Sequence, residues 1–132
     1  MTATIKGVDF GPLSKLAWLA RANAFVIGAT KVGCAVLADD GSFHAGCNVE
    51  HRFRCHDVHA EVNAITSMVA AGRTKVKAIL IAAERDRFTP CGGCMDWIMQ
   101  FAADECIIAA QRTPDSEPIV FTPHELMPHY PR

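Results

Sequence analysis

Two uninterrupted apolar runs constrain the fold of this chain more than any other feature of its sequence. The segments VKAILIAAE, residues 76 to 84, and ECIIAAQ, residues 105 to 111, lack the alternation of a half-solvated strand. Continuous runs of this length are typical of strands that helices cover on both faces. The intervening PCGGCMDWIMQFA predicts a loop that enters a helix. The three segments together predict a β-α-β crossover in a buried sheet.

The N-terminal half of the chain predicts two helices and a hairpin. Apolar residues recur at three- and four-residue steps behind Asp9 and Pro12, which is the pattern of an amphipathic helix. KVGCAVLADDGSFHAGCNVE then predicts two strands joined by a turn at residues 39 to 42. From about residue 58 to residue 71, a helical face is predicted before Gly72, which lies where a C-terminal cap would be. The residues expected to share that face are Val62, Ile65, Met68 and Val69.

This order of elements predicts an α/β fold. After the second apolar run we expect a short strand at residues 119 to 121 and a brief helix opened by Thr122 and Pro123. A chain of 132 residues with 50% apolar residues and no repeat or linker fits a single domain over residues 1–132. The fold expected is a three-layer α/β/α sandwich around a mixed five-stranded sheet.

Charge and apolar patterning exclude several classes of function. The formal net charge is -1, so nothing favours binding to nucleic acid or to an acidic membrane surface. No segment approaches the roughly 18 apolar residues of a membrane span, and no basic run precedes an apolar leader. We therefore expect a cytoplasmic protein. In that reducing compartment its six cysteines predict metal ligands and buried core residues rather than disulfides.

Three residues in two separate segments have the chemistry of a zinc site. Cys91 and Cys94 follow Pro90 at a predicted helix start, where the helix dipole favours thiolates. Two thiolates fill half of a tetrahedral zinc site. His59 begins another predicted helix, and helix starts in such an arrangement meet at one edge of the sheet. These three ligands would leave one position for water.

Glu61 stands two residues after His59, within reach of that position. Zinc lowers the pKa of bound water to roughly 7, and a neighbouring carboxylate can take the proton and pass it to a leaving amine. The grouping therefore suits hydrolytic loss of ammonia. The segments HAE and PCGGC together match the H-x-E and P-C-x-x-C signature of zinc nucleobase deaminases, in which the glutamate is the acid/base.

A longer resemblance accompanies this signature. VGCAVLADDGSFHAGCNVE, HAEVNAI and TPCGGC make the chain similar to the small homotetrameric cytidine deaminases and blasticidin S deaminases, over roughly residues 10 to 130. The resemblance implies one zinc ion per subunit on His59, Cys91 and Cys94, with Glu61 as the catalytic residue. It also implies that Asn48 and Glu50 bind the sugar and that the backbone at Ala60 and Cys91 contacts the pyrimidine.

The same resemblance implies a nucleoside-like substrate and a homo-oligomer, either a tetramer or a dimer. The Leu-Met-Pro segment and Tyr130 resemble the family's C-terminal stretch, which covers the site of a neighbouring subunit. Without the downstream motif, Asn48 and Glu50 would be ordinary turn and surface residues.

The chain departs from the family pattern at positions that bear on the metal and on the substrate. The family commonly has cysteine at His59 and arginine at Val62; with a neutral imidazole the zinc and two thiolates sum to zero charge, so no arginine is needed. Thr30 replaces a base-stacking phenylalanine. Phe53 could supply the missing aromatic face of the substrate site. Arg52 and Arg54 could meet an anionic or carbonyl-rich substrate, or they could face water or another subunit.

Three functions remain open from the sequence. The first is a hydrolytic deaminase of cytidine or deoxycytidine, and the second is a deaminase of a modified cytosine nucleoside, a nucleoside antibiotic or another aminated heterocycle. The third is a zinc-stabilised interaction module, in which Cys55 would join His59, Cys91 and Cys94 in a closed four-ligand site.

Overall fold

The computed structural model describes residues 4–131, so the ends of the predicted domain, residues 1–3 and 132, lie outside it. A short hairpin and a helix come first, and the five sheet strands follow with three further helices between and after them. The elements are β1 (Thr4–Ile5), β2 (Val8–Asp9), α1 (Phe10–Ala22), β3 (Gly33–Ala38), β4 (Phe43–Cys47), α2 (Ala60–Ala70), β5 (Val76–Ala82), α3 (Gly92–Phe101), β6 (Ala102–Gln111), β7 (Ile119–Phe121) and α4 (Pro123–Leu126). A 3-10 turn at Arg54–His56 precedes α2.

The main sheet has five strands in the order β4-β3-β5-β6-β7, which confirms the predicted mixed sheet. Only β5 and β6 pair in parallel, with Leu80 opposite Ala109, and α3 makes the crossover between them. The other three pairings are antiparallel. Because β4 and β5 both run antiparallel to β3, they share one direction, and α2 connects them across the sheet.

Helices cover the sheet on both faces, as the continuous apolar runs predicted. On β5, Ile79 and Ile81 face the core shared with α2 and α3, whereas Leu80 faces the core shared with α1. All three side chains are fully buried. Both faces of this central strand are therefore dry, and this explains why its sequence shows no polar alternation.

Gly46 sets how closely α2 approaches the sheet. A Cβ atom at this position would lie 2.5 Å from the backbone nitrogen of Ala64 and 2.6 Å from Asn63 Oδ1. The close approach allows Asn63 Oδ1 to accept a hydrogen bond from the backbone N–H of Cys47, at 2.9 Å. The first turns of α2 are therefore fixed against the end of β4.

Some details differ from the sequence expectations. The buried face of α2 runs through Glu61, Ala64, Ile65 and Met68, and Val69, expected on it, is 39% exposed. The difference arises because α2 packs through its small residues, with Ala64 against Gly46.

Other differences concern strand bounds and packing. Strand β6 begins at Ala102, three residues before the predicted apolar run, and the β1–β2 hairpin was not predicted. Cys47 is only half-buried, and Trp97 is 40% exposed and stacks on Phe101. Within the described chain, no helix combines the length and the apolarity of a membrane span.

Candidate active site

His59, Cys91 and Cys94 meet at one edge of the sheet, as the sequence predicted. His59 is the N-cap residue of α2 and Cys91 is the N-cap residue of α3, while Cys94 lies in the first turn of α3. Both helices follow strands that run in the same direction, so both helix starts emerge at the same edge. These residues form the only group in residues 4–131 with potential ligand atoms placed to hold a metal ion.

The geometry of the three ligand atoms fits zinc. His59 Nδ1 lies 3.5 Å from Cys91 Sγ and 3.3 Å from Cys94 Sγ, and all ligand atoms lie within 4.8 Å of one another. Tetrahedral bonds of about 2.3 Å to sulfur and about 2.0 Å to nitrogen separate such atoms by about 3.5 Å. The cluster therefore already has the spacing of a tetrahedral site.

Burial makes the cluster dependent on a cation. Cys94 is 1% exposed, and this burial raises the pKa of its thiol far above the ordinary value, with the Glu61 carboxylate adding to the effect. A thiolate in that position needs compensating positive charge, which a divalent ion supplies directly. Two sulfurs and one imidazole are a donor set that zinc prefers.

Glu61 is buried beside the cluster, with 3% of its surface exposed. It lies in the first turn of α2, and its carboxylate interacts with the Cys94 thiol. Burial raises the pKa of Glu61 above its ordinary value. A buried carboxylate whose pKa is raised takes up a proton more readily than an exposed one, which suits a general acid/base.

The cluster opens into a cleft of about 320 Å³. Eight of the residues singled out from the sequence line it, namely Thr30, Asn48, Glu50, Arg54, His59, Ala60, Glu61 and Cys91. Cys94, buried behind them, completes the metal group. The structure thus brings the predicted ligand, acid/base and sugar-binding residues to a single concave surface.

Asn48 and Glu50 hold the segment that forms one rim of this cleft. Asn48 Oδ1 accepts a hydrogen bond from the Val32 N–H at 2.9 Å, and its Nδ2 donates to the Thr30 carbonyl at 2.8 Å. Glu50 Oε1 accepts from the N–H groups of Ile27 and Gly28, at 2.7 and 2.8 Å. The N–H groups of Gly28 and Ile27 lower the pKa of Glu50, so this carboxylate is ionised at neutral pH.

Arg54 faces the cleft but is already paired. Its Nε lies 2.9 Å from Asp57 Oδ2, and its Nη2 lies 3.4 Å from Glu50 Oε2. Asp57 also accepts a hydrogen bond from the His51 N–H at 2.7 Å. Arg52 is exposed and is not among the residues that line the cleft. The charge of Arg54 is therefore used to fix residues 50 to 57 rather than being free for a ligand.

The aromatic residue on the cleft wall is Phe88 rather than Phe53. Phe53 follows a bend at residues 52–53, is 63% exposed, stacks on His51 and is not among the residues that line the cleft. Phe88 and Thr89 line the cleft just before the Pro90-Cys91 pair. Their position beside the ligand motif was the signal that could have identified them.

Cys55 does not join the cluster. It is exposed within the 3-10 turn, and the ligand group contains only His59, Cys91 and Cys94. A zinc ion held by only these three protein ligands would keep one coordination position for water or substrate, which is typical of catalytic rather than structural zinc sites.

Comparisons with known proteins agree with this site. Residues 12–110 match the family model of the cytidine and deoxycytidylate deaminase zinc-binding region. A curated cytidine deaminase of Sporosarcina psychrophila is 35% identical over 71 residues, which are 53% of this chain and 52% of that enzyme. The aligned part of the chain thus spans about half the length of that curated relative.

Crystal structures of cytidine deaminases have the same fold over most of the chain. The enzyme of Mycobacterium tuberculosis aligns with a TM-score of 0.78 and 27% identity, over 92% of this chain and 96% of that one. The enzyme of Mycobacterium leprae aligns with a TM-score of 0.78 and 29% identity, over 92% of this chain and 99% of that one. The enzyme of Burkholderia pseudomallei aligns with a TM-score of 0.79 and 26% identity, over 89% of this chain and 95% of that one.

The matched region includes both helix starts that carry the ligand cluster. The zinc-binding family region and the three-ligand group together support one zinc ion per subunit. The chain therefore belongs to the cytidine and deoxycytidylate deaminase family.

Proposed function

We propose that this protein is a zinc-dependent hydrolytic deaminase, which converts a cytidine-like nucleoside into the corresponding uracil nucleoside and ammonia. The observation that carries the proposal is the buried Glu61 carboxylate beside a three-ligand metal group at the end of an open cleft. The similarity to cytidine deaminases over nearly the whole chain supports cytosine as the base.

Within this reaction, zinc held by His59, Cys91 and Cys94 supplies Lewis acidity toward water. Glu61 moves the protons: its carboxylate carries one proton of the attacking water to the ring nitrogen of the base and the other to the amine, which leaves as ammonia. Burial of Glu61 favours its protonated form, so the transferred proton can be held between the two events. Ala60 and Cys91 line the cleft beside Glu61, and we expect their backbone to contact the base.

The test is to replace Glu61 with glutamine and to measure ammonia release. We expect Glu61→Gln to retain one zinc per subunit, because glutamine fills the same volume, while kcat falls about 10³-fold or more for want of a proton carrier. A matched control is Glu117→Gln, since Glu117 is an exposed glutamate outside the cleft. Activity retained by Glu61→Gln would remove Glu61 from the proposed role.

The substrate range is tested with the wild-type protein on cytidine, deoxycytidine, a blasticidin-like nucleoside antibiotic and purine nucleosides. A modified cytosine nucleoside or an antibiotic is a second candidate, because Thr30 and the charged Glu50-Arg54-Asp57 group form part of the cleft wall. Ammonia release from the antibiotic alone would favour that candidate. Zinc spectroscopy that found four protein ligands and no water would instead favour the interaction module.

We also propose a homo-oligomer. Support comes from Phe25, Ile27 and Phe53, which are each more than half exposed and lie on the chain segments around the Glu50 side of the cleft. Burial of such side chains between subunits is favourable. Light scattering in solution measures the subunit number, and a monomer at micromolar concentration would contradict this part of the proposal.

A further inference from the structure

A second, smaller pocket lies next to the cleft. Its volume is about 140 Å³, and it shares Thr30 and Arg85 with the cleft, so the two cavities adjoin. The remaining lining includes Arg21, Lys31 and Glu84. We call this cavity the side pocket.

The side pocket has an excess of positive charge. Arg21 is paired with Glu84 at 2.8 Å and also donates a hydrogen bond to the Lys31 carbonyl. The side chains of Lys31 and Arg85, by contrast, form no ion pair with any residue of 4–131. One carboxylate therefore faces three cations, and two of those cations are available to a ligand.

The backbone around the side pocket offers further donors. Residues 29 to 31 line it, and their N–H groups donate no hydrogen bond to an acceptor in the described part of the chain. The neighbouring N–H groups of Gly28 and Val32 are in contrast used by Glu50 and Asn48. Consecutive free N–H groups beside unpaired cations are a recurring arrangement for binding anions.

Apart from Arg85, which it shares with the side pocket, the cleft has the opposite electrostatic character. Glu50, Asp57 and Glu61 are its carboxylates, and Arg54 is already shared between two of them. An anionic group placed there would be repelled, whereas a neutral base and sugar would not be. A ligand that is neutral at one end and anionic at the other would match the two adjoining cavities in charge.

We propose that the side pocket binds the phosphate of a cytosine nucleotide whose base occupies the cleft, with Lys31 and Arg85 as the specificity-determining residues. This inference rests on the proposed deaminase function and names its substrate class. The family description covers both a nucleoside and a nucleotide; the side pocket extends the substrate range of this chain to the nucleotide.

The experiment compares kcat/KM for cytidine with kcat/KM for cytidine and deoxycytidine 5′-monophosphates and for the 3′-monophosphate. We expect at least one monophosphate to be deaminated. For that nucleotide, its kcat/KM relative to cytidine should fall about tenfold or more in the double variant Lys31→Gln, Arg85→Gln, because charge-assisted hydrogen bonds to the phosphate are lost. The matched control is Arg87→Gln, since Arg87 is exposed on the same loop but lines neither cavity. Its ratio should not change.

A second readout does not depend on turnover. Inorganic phosphate should raise the Tm of the wild-type protein and of Arg87→Gln, but not that of the double variant, because only an occupied site stabilises the fold. Deamination of nucleosides but of no monophosphate, or an equal ratio in the double variant and the control, would overturn the inference. Failure to release ammonia from any substrate would instead reject the deaminase function, and the phosphate titration would still decide whether the side pocket binds the anion.

Discussion

The cleft has two walls that are built in different ways. The metal wall consists of His59, Glu61, Cys91 and Cys94, all of them at or within the first turns of two helices that pack on the central sheet. The substrate wall is formed by the cleft-lining residues of two segments, 27–32 and 48–57, which contain no strand or α-helix. Hydrogen bonds of the Asn48 and Glu50 side chains hold these two segments together, and the ion pairs of Arg54 lie within the second segment.

This difference divides the chemistry from the recognition. Atoms that must hold a metal and transfer a proton need fixed positions, which buried helices provide. Residues that choose a substrate are on irregular segments, where changes cost little packing and can alter the shape of the cleft. We expect mutations in the metal wall to affect turnover first, and mutations in the substrate wall to affect substrate choice and acid stability.

The largest effect is expected from Cys91→Ala. Loss of one of three protein ligands should reduce bound zinc well below one per subunit and lower kcat/KM by about 10³-fold or more. Cys91 is exposed, so the core should not be disturbed. Metal analysis and ammonia release measure both effects. Cys55→Ala is the matched control, since it removes an exposed thiol outside the cluster, and an equal loss in this control would contradict the assigned ligand set.

A smaller but clear effect is expected from Gly46→Ala, which disturbs the packing of α2 on the sheet and so the base of the metal wall. The new methyl group would meet the backbone of α2 at 2.5 Å, and relieving this contact should lower the free energy of unfolding by about 2–3 kcal/mol. Urea unfolding measures the change.

The matched control for that variant is Gly92→Ala in the first turn of α3, where a Cβ would meet no heavy atom within 4 Å. Alanine is favourable in a helix, so this control should not lose stability. If Gly46→Ala were as stable as the wild type, the close approach of α2 would not be fixing His59 and Glu61.

The smallest effect is expected from Glu50→Gln in the substrate wall. Because the pKa of Glu50 is lowered below its ordinary value of 4.5 in the folded protein, its stabilising contribution is present above that value and is lost as the pH falls through the folded pKa. The wild type should therefore have a higher Tm than the variant at pH 6 to 7. The difference should shrink below about pH 4.5.

Thermal unfolding across this pH range checks the prediction. Glu117→Gln, which changes a glutamate that forms no ion pair with a described residue, should show no such pH-dependent difference. A constant difference between wild type and Glu50→Gln down to pH 3 would mean that the ionised carboxylate does not stabilise the substrate wall.

The metal wall was predictable from sequence, whereas of the substrate wall only Asn48 and Glu50 were placed in the cleft through the resemblance to a family. His59 and Glu61 are close in sequence, as are Cys91 and Cys94, and the apolar runs around them predicted the strands that bring the pairs together. The partners of Arg54 could not be inferred, because they depend on a 3-10 turn without an apolar period. Phe53 directly precedes this turn, so its position could not be inferred either. It was expected in the cleft, where Phe88 lies instead.

The ligand cluster also joins parts of the chain that are 32 residues apart, from His59 to Cys91. A bound ion therefore acts as a crosslink that closes a loop containing α2, β5 and the start of α3. Such a crosslink lowers the conformational entropy of the unfolded chain. It also requires these elements to unfold together rather than one at a time. Zinc should consequently slow amide hydrogen exchange along the whole of this loop, including residues far from the cleft.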